Sequence, residues 1–441
     1  MVNHSDKEAD VLHSWKEISQ HLNVEARTCQ RWEKQYGLPV HRFTDSPRSR
    51  VFAYKNELDD WMERKGPKGL DIERTSRSGN KKFLKVSFVI PFIVILILLV
   101  FFIWKKFRPI QPVGFEIKTS NLIVLNEKGK ELWKYDTRIE NLDKSIYIDR
   151  FQYKKLVQGI QTFPIIMIKD INNDHFNEVL LSIYTLDGMN SSDLLFFNHL
   201  GKKLWTFESG RELKFGDRIY SSDYRIGGLE VIDINNDGTN EILLFSEQQS
   251  DFPTQFCVLN VEGEIQGEYW HSGRISDVEF IDINNDGIDE IVLGAMNNEY
   301  KKGSVIVFDS GNIKGGSPQM VREFRCDDIK PGSEKYYILL PTTDVVKLNF
   351  PMGNCSAVRE RKNGRIEAIV RHTMLYYEFD KKFNLLDLRS SHAFEMMHKE
   401  AVREGKIDSV IDDAYFQKLK EGILYWNGKE WTTTPSMSNP W

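Results

Sequence analysis

Apolar positions fall into three patterns along this 441-residue chain. Near the start they recur at helical spacing. Ser14-Trp15-Lys16-Glu17 is a capping box that opens a helix running to about Leu22, and Asn23 supplies a turn. A second helix is predicted from about Glu25 to Tyr36, stopped by Gly37 and Pro39, with Cys29, Trp32 and Tyr36 on its packed face. Residues 38–43 and 50–54 read as two short strands around the polar turn 44–49, and residues 56–65 as a closing helix. In the middle, residues 86–104 are uncharged and interrupted only by Ser87 and Pro91. From about residue 110 onward, short apolar runs alternate with polar turns, the pattern of antiparallel strands.

The middle run predicts a single membrane span, since a helix of that length covers roughly 29 Å, the depth of a bilayer's hydrocarbon core. Lys81, Lys82 and Lys85 bracket it on one side and Lys105, Lys106 and Arg108 on the other, with Trp104 at one boundary. A secretory signal fits poorly, because some eighty polar, well-patterned residues come first. Residues 1–85 carry a net charge of +4 and the remainder −9. The cationic bias next to the run favours a cytoplasmic N-terminus and an extracytoplasmic C-terminal part in a cell membrane. A basic half suits a polyanion such as nucleic acid, and an acidic half suits cations or neutral ligands. The four cysteines show neither disulfide nor metal-ligand spacing.

In the N-terminal part, a short helix, a tight turn and a second helix with a cationic stripe form the layout of a helix-turn-helix. Arg27, Arg31 and Lys34 recur at i, i+4 and i+7, with Thr28 and Gln30 adjoining, while Arg42, Arg48 and Arg50 sit on the strands and turn of a wing. Arg can bond bidentately to guanine and Gln to adenine in the major groove, and wing cations meet phosphates. Residues 14–63, above all RTCQRWE followed by GLPVHR, resemble the excisionase/MerR-type winged helix-turn-helix family. That resemblance implies sequence-directed DNA binding by residues 1–65, with residues 66–85 as a basic linker.

The C-terminal part repeats. Asp170-Ile-Asn-Asn-Asp-His-Phe-Asn-Glu178, Asp233-Ile-Asn-Asn-Asp-Gly-Thr-Asn-Glu241 and Asp282-Ile-Asn-Asn-Asp-Gly-Ile-Asp-Glu290 are three copies of one acidic loop, each followed at once by an apolar run. A second strand-and-turn pattern recurs around Trp133, Trp205 and Trp270, and residues 366–388 look like a degraded unit. One small antiparallel sheet per unit suits the blades of a β-propeller over residues 110–441. Oxygens at positions 1, 3, 5 and 9 can converge on a hard cation, though the same residues also suit metal-free Asx turns. The loops resemble FG-GAP/VCBS repeats of integrin-α-like propellers. By that resemblance the Ca²⁺ ligands are Asp233, Asn235, Asp237 and Glu241, then Asp282, Asn284, Asp286 and Glu290. In the first copy Asp170, Asn172, Asp174 and Glu178 match, but His175 replaces glycine.

Residues 390–422 show helical spacing and read as an insertion, and residues 423–431 as a last hairpin able to close the ring. There is no nucleophile elbow, phosphate-cradling glycine loop or zinc spacing, so no catalytic residue is assigned and no enzyme is expected. The expected class is thus a multidomain membrane protein: a small mainly-α winged helix-turn-helix, one transmembrane helix and an all-β propeller. The expected function is a membrane-tethered one-component transcription regulator that binds DNA and senses an external ligand or partner, with homodimerisation to occupy two half-sites. The rival is a structural or adhesive surface protein whose N-terminal part is only an anchor. A quinoprotein-like enzyme has weaker support, from the Trp133 and Trp205 turns alone.

Overall fold

The computed structural model describes residues 10–42, 51–65, 110–157, 160–186, 192–248, 252–349, 352–371 and 375–439. The chain divides into two compact units, Met1–Lys106 and Phe107–Trp441.

In the N-terminal unit, α1 (Trp15–His21) starts where the Ser14 hydroxyl accepts from Glu17 N, and the Glu17 carboxylate reaches back to His13 N. Helix α2 (Ala26–Tyr36) ends at Gly37, whose φ of 66° provides the left-handed turn that glycine adopts without steric cost. Strands β1 (Val11–Leu12), β2 (His41–Arg42) and β3 (Val51–Tyr54) form a sheet in the order β1-β3-β2, and α3 (Lys55–Lys65) follows β3 directly. Ile18, Leu22, Cys29, Trp32, Leu58 and Trp61 make the core, with the Trp61 indole N–H bonded to Tyr36 O at 3.0 Å. Tyr36 itself is 47% exposed, so the packed face of α2 stops at Trp32.

The C-terminal unit is a succession of antiparallel meanders. The first sheet is β4 (Gly114–Lys118), β5 (Asn121–Leu125) and β6 (Glu131–Asp136). Helix α4 (Lys144–Asp149) and the hairpin of β7 (Lys155–Val157) and β8 (Ile160–Thr162) lead to the second sheet, β9 (Ile166–Lys169), β10 (Glu178–Ser182), β11 (Asp193–Phe197) and β12 (Lys203–Glu208). A second small hairpin, β13 (Leu213–Phe215) and β14 (Arg218–Tyr220), precedes the third sheet: β15 (Tyr224–Ile232), β16 (Glu241–Gln248), β17 (Thr254–Leu259) and β18 (Ile265–His271). The fourth begins β19 (Ile275–Ile281), β20 (Glu290–Asn297) and β21 (Lys302–Phe308). Strand β22 (Lys314–Gly316) then returns to pair with β18, before β23 (Tyr336–Leu340) completes the fourth meander. After α5 (Asp344–Asn349) comes the fifth, β24 (Cys355–Glu360), β25 (Ile366–Val370), β26 (Leu375–Phe379) and β27 (Leu385–Ser390). Helices α6 (His392–Arg403) and α7 (Asp413–Glu421) fill the insertion, and β28 (Leu424–Trp426) with β29 (Trp431–Thr432) extends the outer edge of the fourth sheet beyond β23.

Residues at or near the start of β15, β19 and β24 (Arg225, Ile275, Ser356) share the wall of one cavity of about 620 Å³ with Phe163, just before β9. Successive sheets whose first strands face a common centre are consistent with a β-propeller. Neighbouring sheets are stapled by a recurring device. The Trp133 indole N–H donates to His199 O at 3.1 Å and the Trp205 indole N–H to Val261 O at 2.9 Å, each ring lying on a turn glycine of the next sheet. Gly201 and Gly263 sit at φ 81° and 83°, and a Cβ there would lie 2.6 and 2.8 Å from the indole, so the turn and the ring seat both require glycine.

Two expectations are corrected. The class expected from sequence, a multidomain membrane protein with a small mainly-α winged helix-turn-helix, one transmembrane helix and an all-β propeller, is not what the described residues show: strand exceeds helix among them, and a three-stranded sheet stands with the N-terminal helices. No helix among the described residues is long and apolar enough to cross a membrane, and the run 86–104 lies outside them. The final hairpin does not close a ring. It adds to the fourth sheet because β23 offers an unpaired edge whose partner residues, Ile338 and Leu339, match Tyr425 and Leu424.

Candidate functional site

The first candidate is the outer face of α2. Arg27, Gln30, Arg31 and Lys34 are exposed along the helix, and Thr28 is half-buried in its first turn. Burial of Cys29 and Trp32 fixes the helix rotation that turns these side chains outward. Arg27, Arg31 and Lys34 make no ion pair with a described residue. Arg42, by contrast, is committed: its guanidinium donates to Glu33 at 2.6 Å, and that contact holds its pKa above the usual arginine value. Arg48 and Arg50 lie outside the described residues.

The second candidate is the row of acidic loops, each joining the first and second strands of its sheet: β9 to β10, β15 to β16, and β19 to β20. All three close in the same way. In the middle loop Asp233 accepts from the amides of Asp237 and Gly238 at 3.1 and 2.9 Å. Asn235 Oδ1 also accepts from Asp237 N, and Asp237 accepts from Thr239 N. The first loop repeats this with Asp170, Asn172 and Asp174, and the third with Asp282, Asn284 and Asp286. The ninth residue opens the second strand and folds back. Glu178, Glu241 and Glu290 accept from the amides of Ile171, Ile234 and Ile283 at 2.9, 3.0 and 2.7 Å.

Burial, followed by the neighbouring Asp charges, raises the pKa of Glu178 and Glu241 and pushes Glu290 up to about 7. Glu178 Oε1 is buried with no hydrogen-bond partner. His175 takes φ 72°, the conformation that Gly238 and Gly287 hold at 89° and 88°, so the first loop keeps its shape at the cost of a strained non-glycine residue. As a cation site the donor set has the right hard-oxygen chemistry. Yet among the described residues no three Asp, Glu, His or Cys side chains converge closely enough to hold a metal ion. The loop amides occupy the carboxylates instead.

Sequence reasoning missed the fourth position of the motif. Asn173, Asn236 and Asn285 all sit at positive φ. The Asn173 amide donates to Gly238 O at 2.6 Å and the Asn236 amide to Gly287 O at 3.0 Å, so each loop is clipped to the loop of the following sheet. At the third loop the partner changes, and Lys381 of the fifth sheet donates to Asn285 Oδ1 at 3.1 Å. The repetition of Asn at that position in all three copies was the available signal. Of the histidines, His271 is fully enclosed and bonded to Met296 O, with burial pushing its pKa down to about 4, and His199 stacks on Phe176. His372 lies outside the described residues.

No protein-family model and no curated protein matches this chain. Solved structures with a likeness include a protein of unknown function from Bacteroides caccae (11% identity, TM-score 0.24, covering 66% of this chain and 97% of that one). Others are the Dos1 propeller (8%, 0.22, 64% and 85%) and an apocarotenoid oxygenase from Synechocystis (9%, 0.21, 63% and 69%). A propeller protein and an enzyme thus both stand among these neighbours. At such TM-scores none of them decides fold or chemistry, which rest here on the chain's own sheets and side chains.

Proposed function

We propose that this chain is a membrane-tethered one-component transcription regulator, in which the N-terminal unit binds DNA through α2 and the C-terminal unit senses a ligand or partner. The observation that carries the reading is the exposed stripe of Arg27, Arg31 and Lys34 at helical spacing, without acidic partners among the described residues. Helix, turn, helix and strand pair follow one another in the order of an excisionase/MerR-type winged helix-turn-helix, in whose sequence Arg48 and Arg50 would belong to the wing. The tether and the cytoplasmic placement of the N-terminus rest on the sequence of residues 86–104 and its flanking cations alone.

The FG-GAP/VCBS reading of the C-terminal unit is supported by three acidic loops placed alike between first and second strands. Calcium belongs to this proposal: to bind it, the loops would exchange amide contacts for the cation, relieving the unpaired Glu178 oxygen and the crowded Glu290 carboxyl. Two DNA-binding units, brought together by self-association, would occupy two half-sites, because one small helix-turn-helix makes few specific contacts. The test is selection of duplex sequences by the purified full chain at several salt concentrations. Sequence-selective binding that weakens steeply with salt is expected. Absence of any duplex binding would hand the chain to the surface-anchor reading.

A further inference from the structure

The cavity of about 620 Å³ onto which the first strands face runs against the charge of its surroundings. Residues 86–441 carry a net charge of −9, yet the described wall holds five cations, Arg150, Lys155, Arg225, Arg274 and Arg371, against two carboxylates, Asp149 and Glu247. A second cavity, of about 410 Å³ around Trp270, is balanced, with Arg325 and Lys330 beside Asp327 and Glu334. Five separate segments bring the cations of the first together: Arg150 follows α4, Lys155 lies on β7, Arg225 on β15, Arg274 precedes β19 and Arg371 follows β25. Arg225 bonds Glu247, and Arg274 lies 3.8 Å from the same carboxylate, with both arginine side chains close to half exposed. The other three make no ion pair with a described residue. Arg150 donates through Nε to Phe163 O at 2.7 Å and through a terminal nitrogen to Gly227 O, which pins it between the approach to β9 and β15 with N–H groups to spare. Lys155 is exposed and donates only to the backbone oxygen of Asp149 at 3.1 Å, and the half-buried Arg371 guanidinium bonds no described residue.

Like charges gathered on one wall repel, and more strongly where protein replaces water between them. A cavity whose fixed charge has one sign also concentrates ions of the other sign. The chemistry of the occupant follows from the groups that meet it. Guanidinium forks pair with carboxylate and phosphate oxygens, and three cations without an acid call for more than one such group. The volume lies in the range of small-molecule sites, roughly 300–1,000 Å³, and far exceeds a lone inorganic ion. Half-buried Ile146, Gln161 and Thr162 in the same wall offer apolar and neutral polar contacts to the rest of such a molecule.

We propose that this cavity binds a small organic anion bearing two or more carboxylate or phosphate groups, held by Arg150, Lys155 and Arg371 with Arg225 and Arg274 beside them. As the stimulus of a sensing unit such an anion rests on the regulator reading, whereas its binding does not. The experiment is calorimetric titration of the full chain at fixed ionic strength in calcium-free buffer. Tricarballylate and fructose 1,6-bisphosphate are the probes, with glucose and inorganic phosphate as controls. The first probe carries only carboxylates and the second only phosphates, so the pair separates the two sources. At least one should bind saturably at or below a few millimolar and raise the thermal midpoint, as a ligand that prefers the folded state does. Arg371→Gln should weaken that probe roughly tenfold or more, through loss of a charge-assisted bond. Its ligand-free midpoint should be unchanged or higher, because the substitution relieves like-charge crowding. Lys155→Gln, at an exposed position, should weaken the same probe and serves as the second variant should Arg371→Gln unfold. The proposal is overturned if neither anion binds at tens of millimolar, or if glucose or inorganic phosphate binds as tightly. It is also overturned if both variants bind the anion like the parent, which would place it elsewhere, the α2 stripe included. A ligand-free midpoint that drops in both variants would mark these cations as ties between sheets and sink the proposal as well. Duplex binding by the same preparation is scored separately: anion binding without it removes the regulator reading and leaves the cavity site standing, and duplex binding without anion binding does the reverse.

Discussion

The α2 stripe and the acidic loops are both clusters of like charge, yet they stand in opposite states. The stripe is open: Arg27, Arg31 and Lys34 extend from a helix whose opposite face is anchored by Trp32, and no described carboxylate neutralises them. The loops are closed, with every Asp at the first position already accepting from two backbone amides. A polyanion that met the first cluster would therefore displace no ion pair of Arg27, Arg31 or Lys34 with a described residue. A cation must displace hydrogen bonds in the second, which lowers its affinity and makes its binding a conformational event.

The largest expected effect tests the loops. At a hundredfold excess over its dissociation constant, calcium should stabilise the full chain by about 2.7 kcal/mol against chelator, and magnesium by less. Asp237→Ala and Asp286→Ala should each remove part of that gain. Extracellular modules bind calcium at about 10⁻⁴ to 10⁻³ M, so an unmoved thermal midpoint at several millimolar would leave the loops as hydrogen-bonded turns. On the open side, Arg31→Ala should cost about 1–3 kcal/mol of DNA affinity and relax base preference. Equal losses on all sequences would show that α2 meets only phosphates.

Smaller effects sharpen the contrast. Asn236→Ala should destabilise the chain by about 1 kcal/mol, the worth of an ordinary hydrogen bond, to the same extent with calcium as with chelator. A calcium-dependent loss would make this residue part of the cation site rather than a clip between sheets. Arg42→Ala should change DNA affinity by well under the Arg31 effect, because its guanidinium is already engaged by Glu33, and comparison in the same binding assay decides it.

Features set by neighbours in sequence were legible. The Ser14 cap, the stop at Gly37, the strand that follows each acidic nonapeptide and the helical character of residues 390–422 all depend on contacts within a few residues. What depends on packing between distant segments was not. Tyr36 continues the apolar spacing of α2 but has nothing to cover it. The cross-loop bonds of Asn173 and Asn236 span more than fifty residues, like the Trp133 and Trp205 staples. The cavity around Trp270 draws its wall from residues 215 to 439, a set that no local pattern marks.

The fourth sheet also dictates an order of events during synthesis. Its outer strand β23 is made before the whole of the fifth sheet, but the partner β28 leaves the ribosome only after it. Until then β23, with the sequence Tyr-Tyr-Ile-Leu-Leu and every residue buried in the finished protein, has one bare edge. For the time it takes to make some eighty further residues, at about 5–20 residues per second, the nascent chain carries an apolar strand edge open to any passing strand. Helices α6 and α7 lengthen that interval, so a shorter insertion would bring the protective hairpin into place sooner.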